Sequence, residues 1–297
     1  MPVKLISRSK KNYNKHDIYT TGNIAMSENQ DIKKIIQKGF DTVAQGYDHP
    51  SLSFFPQTAE RMMRHLDLNK DHQLLDVCTG TGVVALAAAQ LLTDGKVTGI
   101  DLSSGMLQQA KDKASEQNLI NTEFLQMDLD HLVFAEETFD VASSSFGLFF
   151  LEDMTHALNN ISRVVKSGGK ITISTFTGDA FLPMSDMFLE CYASFGKEVP
   201  PLSWKRLSTK ELIQAQFEEV GISNVTVHHE PLGYQMTDAQ MWWDVVWNAG
   251  YRSLLNQLTE EQQIAFKEKH MADIKQLLGD EGVWFNTEVL IAVAEKK

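Results

Sequence analysis

The order of apolar and amphipathic segments predicts an α/β fold with a parallel sheet that is covered by helices on both faces. Between residues 73 and 176, short apolar runs alternate with longer segments whose apolar residues recur every three or four positions. Continuous apolar strands joined by helices are typical of βαβ units. The length of 297 residues suits one large domain or a core domain with a sizeable insertion.

The elements of the first half follow from this alternation. We expect strands at residues 73–78, 96–101, 122–127, 138–145 and 170–176, and helices at residues 83–92, 104–117 and 154–165. The turn Gly168-Gly169 precedes the fifth strand. Met106, Leu107 and Ala110 share one face of the second helix, which indicates that this face packs on the sheet.

The second half predicts helices inserted between two strands. Capping boxes at residues 208–211, 237–240 and 259–262 open helices that end near Gly221, Ala249 and Leu278. Strands are expected at residues 224–229 and 288–295. We predict a helical insertion or substrate cap at residues 237–284, with residues 67–236 and 285–297 forming the core domain.

The N-terminus predicts a tail followed by helices. Residues 1–26 are rich in lysine and lack the apolar run of a secretory signal, so we expect a disordered basic tail. Ser27 to Gln30 forms a capping box before apolar residues at helical spacing, and the folded part is expected to begin there. Residues 27–66 are then expected to form an N-terminal helical lid.

Composition excludes several classes of protein. Apolar residues make up 43% and charged residues 22%, as in ordinary globular proteins, and no apolar run is long enough for a membrane span. The net charge of −12 opposes tight binding to nucleic acid and favours a small neutral or cationic ligand. Cys78 and Cys191 are the two cysteines, so we expect a cytoplasmic protein without a disulfide scaffold or a metal site.

The segment from Asp76 to Gly82 carries the strongest signal for a ligand site. An apolar strand leads through a glycine turn directly into a helix, whose N-terminus offers free N–H groups. Glycine permits positive φ and lets a ligand lie against the backbone. Gly80, Gly82 and Ala85 also match the dinucleotide fingerprint, which leaves a nicotinamide cofactor open.

Two more acids end the next strands. Asp101 is the last residue of the second strand, where a carboxylate can accept both hydroxyls of a ribose. Asp128 follows the third strand, where it could accept from an adenine amine. Together with Asp76, they put three acids at one edge of the sheet. This arrangement suits a ligand with amines and a sulfonium better than a pyrophosphate.

These motifs resemble a known family. Residues 40–176 are similar to class I S-adenosylmethionine-dependent methyltransferases, most of all to the ubiquinone/menaquinone-biosynthesis type. The resemblance rests on residues 76–82, on Asp101 and Asp128, on residues 138–148 and 164–169, and on a lid motif at residues 40–48. Cys78 and Ser167 depart from the residues usual there. The resemblance implies a three-layer sandwich with a mostly parallel, seven-stranded Rossmann-like sheet whose last strand is antiparallel.

The resemblance also implies S-adenosylmethionine as the cofactor and a set of site residues. The expected cofactor-binding residues are Tyr47, Asp76, Cys78, Thr79, Gly80, Thr81, Gly82, Asp101, Leu102, Met106, Met127, Asp128, Leu129, Ser144 and Phe146. For the acceptor pocket we expect the aromatic residues Phe146, Phe149, Trp243 and Trp247. Candidate general bases are His49 and Tyr47, and more weakly His228 and His229.

The function predicted is transfer of a methyl group to a small, partly apolar molecule, with S-adenosylhomocysteine as product. In-line transfer from a sulfonium requires placement and a dry pocket, and it needs a base only if the acceptor must lose a proton. Two alternatives are a nicotinamide-dependent oxidoreductase and a protein that binds S-adenosylmethionine without turnover. The acceptor atom and the oligomeric state are not fixed by the sequence.

Overall fold

The computed structural model describes residues 22–297, with side chains from Ile32 onward. Residues 1–21 of the predicted tail therefore lie outside the described residues. Its last five residues, 22–26, are helical, which differs from the predicted disorder. The chain divides into two units after Ile35. The first contributes residues 22–35, the beginning of α1 (Gly22–Val43), and the second is residues 36–297.

The second unit is built on a seven-stranded sheet. Its strands are β1 (Gln73–Val77), β2 (Lys96–Asp101), β3 (Thr122–Gln126), β4 (Phe139–Ser145), β5 (Val165–Phe176), β6 (Val225–Glu230) and β9 (Val289–Glu295). The order across the sheet is β3-β2-β1-β4-β5-β9-β6. The first five pair in parallel, and β9 runs antiparallel to both β5 and β6. The predicted fold class is confirmed, including the antiparallel last strand.

Further helices follow α1 along the chain, and several of them pack on this sheet. They are α2 (Phe54–Arg64), α3 (Val83–Leu91), α4 (Ser104–Glu116), α5 (Met154–Val164), α6 (Met184–Ser194), α7 (Lys210–Glu218), α8 (Ala239–Asn248), α9 (Arg252–Leu255) and α10 (Glu260–Leu278). Strand β1 shows why both faces must be covered, because Leu74, Leu75 and Val77 are all fully buried. None of the helices described here is long and apolar enough to cross a membrane.

The region before the last strand contains more than the predicted helices. Strands β7 (Gly233–Met236) and β8 (Val283–Asn286) pair antiparallel in a separate two-stranded sheet, and α8, α9 and α10 lie between them in the chain. The sequence did not predict this pair, because both strands are short and their partners are distant in sequence. The pair joins the two ends of the helical segment.

Three of the four helix starts predicted from capping boxes require correction, and one is confirmed. Thr209 caps α7 in place of Ser208, and Asp238 caps α8 in place of Thr237, since each neighbour offers an equally good side-chain acceptor. Thr259 and Gln262 form the expected capping box of α10. Helix α1 begins at Gly22, ahead of the capping box expected at Ser27.

Candidate active site at the carboxyl edge of the sheet

A strained loop connects β1 to α3. Cys78, Gly80 and Gly82 all adopt positive φ, at 55°, 55° and 80°. The Thr79 amide donates to the carbonyl of Ile100 at 2.9 Å, which ties the loop to the neighbouring strand β2. A Cβ on Gly80 would meet no atom within 4 Å, so the backbone there faces open space. The loop thus presents bare backbone at the start of a helix, as an anionic or polar ligand requires.

Asp101 ends β2 beside this loop. The amide of Gly80 donates to Oδ2 at 2.9 Å, and the amide of Ser103 donates to Oδ1 at 2.8 Å. Burial raises the pKa of Asp101, and these two backbone donors partly oppose that rise. The contacts fix the orientation of the carboxylate and leave lone pairs for further donors.

Asp76 lies beneath the loop and is fully buried. The hydroxyls of Thr79 and Ser143 donate to its two oxygens at 2.6 and 2.7 Å. Burial raises the pKa of Asp76 to about 6, against the effect of these hydroxyls. Because both oxygens are held in this way, the geometry indicates that Asp76 orders the glycine loop.

The residues at the end of β4 form another part of the site, beside the glycine loop. Phe146 follows the strand with φ of 54°, and its ring stacks on that of Phe176 with centroids 4.2 Å apart. A Cβ on Gly147 would lie 2.5 Å from Cβ of Cys78, so β4 and the glycine loop approach as closely as glycine allows. The buried hydroxyl of Ser144, beside Gly147, has no hydrogen-bond partner among the described residues. An unpaired buried hydroxyl is uncommon in a folded protein, and this one lies beside the glycine loop.

The segment that ends with α2 lies over the same loop. We call residues 44–64 the lid segment. Tyr47 stacks on Phe55 with centroids 4.9 Å apart, and Phe55 contacts Phe146 edge-on at 5.3 Å. The hydroxyl of Thr81 donates to Asp48 at 2.8 Å, and Lys113 forms an ion pair with the same carboxylate at 2.7 Å. The glycine loop and α4 therefore hold the lid segment in place.

The remaining residues expected at the cofactor lie along the same edge. The amide of Met127 donates to the carbonyl of Asp101 at 3.0 Å, which joins the ends of β2 and β3. Asp128 caps the short 3-10 turn that begins at Leu129 by accepting from the amide of Asp130 at 3.0 Å. Leu102 follows Asp101 directly, and Met106 is buried in the first turns of α4.

The proposed bases have other surroundings. Nδ1 of His49 accepts from the amide of Ser51 at 3.2 Å, and its Nε2 lies 3.9 Å from Asp244 on α8. Burial, reinforced by Asp101 and Asp48, raises the pKa of Tyr47, so its phenol stays protonated near neutral pH. A protonated phenol can donate a hydrogen bond but is poorly suited to act as a base.

His228 and His229 lie on β6, at the edge of the sheet. The His228 ring stacks on His65 at 3.7 Å, and His229 bonds to Glu288 at 2.7 Å. The structure therefore does not bring either of these candidate bases to the glycine loop.

The aromatic residues expected in the acceptor pocket separate into two places. Phe149 is buried after β4, 4.8 Å from Phe150. Trp243 and Trp247 instead lie next to each other, with ring centroids 6.0 Å apart. They line a groove of about 550 Å³ between α8 and α10. Helical rotation directs the preceding Trp242 inward, where it contacts Tyr251 at 5.5 Å.

Sequence reasoning missed other aromatic rings that contact Phe176. The ring centroid of Phe181 lies 4.6 Å from that of Phe176. The centroid of Trp204 lies 6.3 Å from that of Phe176 and 5.6 Å from that of Phe181. Arg206 anchors Trp204 by donating to three carbonyls after β4, those of Phe149, Leu151 and Glu152. Residues 200–205 show no periodicity, so only tertiary contacts could reveal Trp204.

This set of residues fits S-adenosylmethionine. Its ribose hydroxyls require an acceptor such as Asp101, and the open backbone at Gly80 leaves space beside that carboxylate. The hydroxyl of Ser144, which has no partner among the described residues, and the ring of Phe146 lie at the end of the adjacent strand β4.

Known proteins show the same combination of sequence and fold. The sequence model of the ubiE/COQ5 methyltransferase family matches residues 26–219. Demethylmenaquinone methyltransferase from Staphylococcus aureus is 30% identical over 224 residues, which cover 68% of this chain and 90% of that protein.

Solved structures share the fold at lower identity. The YcgJ protein from Bacillus subtilis superposes with a TM-score of 0.54 at 18% identity, covering 81% of this chain and 99% of that one. A phosphoethanolamine N-methyltransferase from Haemonchus contortus, solved with S-adenosylhomocysteine, gives 0.50 at 19% identity and covers 81% of this chain and 52% of that one. The family match does not favour the oxidoreductase alternative. The chain belongs to the ubiE/COQ5 methyltransferase family and is an S-adenosylmethionine-dependent methyltransferase.

Proposed function

We propose that the chain methylates a small, partly apolar aromatic molecule that lies against Phe146. The observation that carries this proposal is the position of the Phe146 ring, which follows β4 at the glycine loop and stacks on Phe176. A flat apolar acceptor would extend this stacking. The Staphylococcus aureus relative is named as the methyltransferase of demethylmenaquinone, which contains a flat apolar ring of this kind. We propose a similar class of acceptor here.

The protein's contribution to the reaction is placement and exclusion of water. Bound S-adenosylmethionine supplies a methyl group on a sulfonium, which is transferred in line to the acceptor. Asp101 and the glycine loop fix one partner, and the rings of Phe146 and Phe176 orient the other. Alignment of this kind contributes about 7–11 kcal/mol in favourable cases, so a reactive acceptor needs little further assistance. The raised pKa keeps the phenol of Tyr47 protonated, so we do not assign removal of a proton to this residue.

Turnover with a panel of acceptors tests this proposal. The purified chain is incubated with S-adenosylmethionine and hydroxylated benzenes and naphthalenes, and products that gain one methyl group are detected by mass spectrometry. Asp101→Ala serves as the matched control. We expect methylated products from the wild type and a large loss in the variant. Binding of S-adenosylhomocysteine without any turnover would favour a non-catalytic binding protein instead.

We also propose that the enzyme works in the cytoplasm on a free small molecule. Cys78 and Cys191 are both unpaired thiols, as in a reducing compartment, and the net charge of −12 opposes nucleic acid as the acceptor. Fractionation of cells that express the native chain would test the location. Recovery in an oxidising compartment, or methylation of nucleic acid in vitro, would contradict it.

A further inference from the structure

Asp41, near the end of α1, contacts the start of α4. Its Oδ1 accepts from the hydroxyl of Ser103 at 2.5 Å and from the amide of Gly105 at 2.9 Å. The first amides of a helix have no partner within the helix and attract a negative charge, so a carboxylate is well suited to this position. Asp41 belongs to the lid motif at residues 40–48, but the site described above does not include it.

Ser103 connects Asp41 with the acid that ends β2. Ser103 is 1% exposed, and its amide donates to Oδ1 of Asp101 at 2.8 Å. Its hydroxyl accepts from the amide of Met106 at 3.1 Å and gives its proton to Asp41. A serine hydroxyl has one proton to donate, so this contact uses it fully. A single buried residue therefore links Asp41 to Asp101.

The end of α1 packs closely on the turn that contains Ser103. A Cβ on Gly105 would lie 3.1 Å from Oδ1 of Asp41 and 3.3 Å from Cβ of Ala44. Val43, Ala44 and Met106 form a buried apolar cluster beside this contact. The turn between β2 and α4 is thus held by α1 as well as by the sheet.

Two different segments hold the carboxylate of Asp101. The amide of Gly80, in the glycine loop, donates to Oδ2, and the amide of Ser103 donates to Oδ1. The terminal torsion of an aspartate side chain is broad, so a donor on each oxygen is needed to fix the plane of the carboxylate. Burial is the main cause of the raised pKa of Asp101, and the nearby charge of Asp41 adds to it.

We propose that Asp41 is a positioning residue for the cofactor. By holding Ser103, it keeps the carboxylate of Asp101 oriented for the ribose hydroxyls of S-adenosylmethionine. Asp41 acts through Ser103 and contacts no part of the cofactor. This inference rests on the proposed role of Asp101 as a cofactor ligand, and it adds a residue of α1 to that site.

A double-mutant cycle tests whether Asp41 acts through Asp101. Isothermal calorimetry measures the affinity of the full chain for S-adenosylhomocysteine in the wild type, in Asp41→Ala, in Asp101→Ala and in the double variant. Asp41→Asn is the conservative variant, because its amide oxygen can accept from the same two donors. Thr259→Ala is the control, since it removes the cap of α10, which packs on α6 and α8. Thermal unfolding of each variant measures its stability.

We expect Asp41→Ala to bind S-adenosylhomocysteine about three- to tenfold more weakly than the wild type, because Asp101 loses its fixed orientation. Asp41→Asn should restore the affinity to within about twofold of the wild type. In the Asp101→Ala background, Asp41→Ala should cause no further loss. Thr259→Ala should lower stability and leave the affinity unchanged, which separates positioning from the loss of a helix cap.

The inference is wrong if Asp41→Ala keeps the wild-type affinity, or if it weakens binding by the same factor with and without Asp101. Ser103→Ala breaks the same link from its other end, should weaken binding in the same way, and decides the question if Asp41→Ala does not fold. Failure of the wild type to bind, or wild-type affinity in Asp101→Ala, would instead contradict the proposed cofactor site.

Discussion

Asp101 and Asp76 lie near the carboxyl ends of the neighbouring strands β2 and β1, yet different groups hold their carboxylates. Backbone amides of Gly80 and Ser103 fix Asp101 at the open side of the loop, whereas the hydroxyls of Thr79 and Ser143 hold Asp76 below it. One acid is thus positioned to contact a ligand, and the other to support the loop. The two predictions at this scale separate these roles.

Replacing Asp101 should weaken cofactor binding. Asp101→Ala removes acceptors for charge-assisted hydrogen bonds worth about 1.5–3 kcal/mol each, so we expect affinity for S-adenosylhomocysteine to fall at least about tenfold. Isothermal calorimetry measures the change. Asp67→Ala is the matched control, because the Asp67 side chain is fully exposed and its ion pair with Lys170 lies at the surface. An unchanged affinity in folded Asp101→Ala would remove this residue from the site.

Asp76 should make stability depend on pH. Its pKa is about 6 in the folded chain and near 3.8 when unfolded, so the folded state binds the proton more tightly. This contribution to the unfolding free energy is fully present below pH 3.8 and is lost as pH rises through about 6.

The variant Asp76→Asn cannot titrate at this position. Its unfolding free energy relative to wild type should therefore rise by up to about 3 kcal/mol between pH 4 and pH 7. Urea unfolding at several pH values tests this difference. A difference between the two proteins that does not change with pH would contradict the assigned pKa.

At the scale of elements, the glycine loop shows which glycines serve a ligand and which serve packing. A Cβ on Gly80 meets open space, whereas a Cβ on Gly82 would lie 2.9 Å from Cβ of Ala110 on α4. Both have positive φ, which costs other residues about 1–2 kcal/mol.

We therefore expect Gly80→Ala to lose about 1 kcal/mol of stability and at least about tenfold in affinity for S-adenosylhomocysteine. Gly82→Ala should lose more stability, about 3 kcal/mol, since it also pushes α4. Thermal unfolding and calorimetry on both variants measure the two effects. Equal loss of stability, with binding intact in Gly80→Ala, would show that the open space is not a ligand site.

The same elements show how far sequence alone can lead. Strands β1, β2, β4 and β5 were predictable because their apolar runs are buried on both faces. Strand β3, in which only Phe124 is buried, was predictable from the alternation of strands and helices. Asp101 and Gly80 belong to a local motif. Tyr251 and Trp204 lie 47 positions apart in the sequence and meet only through tertiary packing. Trp243 and Trp247 share a helical face, but the sequence does not say whether that face is turned to the sheet or to α10.

At the scale of the whole second unit, polar contacts hold the lid segment on the glycine loop and α4. Asp48 connects Thr81 with Lys113, and Tyr47 stacks on Phe55 above the end of β4. Opening of the site requires these contacts to break. Their strength should therefore influence how fast a ligand leaves.

Asp48→Ala should accelerate release of S-adenosylhomocysteine roughly three- to tenfold, because a half-exposed pair and one hydrogen bond contribute about 1 kcal/mol. Stopped-flow displacement measures the rate. Glu123→Ala, which breaks the surface pair with Lys96, serves as the control. Equal release rates in all three proteins would mean that the lid segment does not limit release.

The most direct test of the account is isothermal calorimetry of the full chain with S-adenosylhomocysteine, because this ligand requires no knowledge of the acceptor. The account predicts saturable binding at one site with a roughly micromolar dissociation constant. No binding in a chain shown to be folded by circular dichroism would contradict the assignment of the carboxyl edge of β1 to β4 as the cofactor site. Binding of a nicotinamide cofactor in its place would then favour the oxidoreductase alternative.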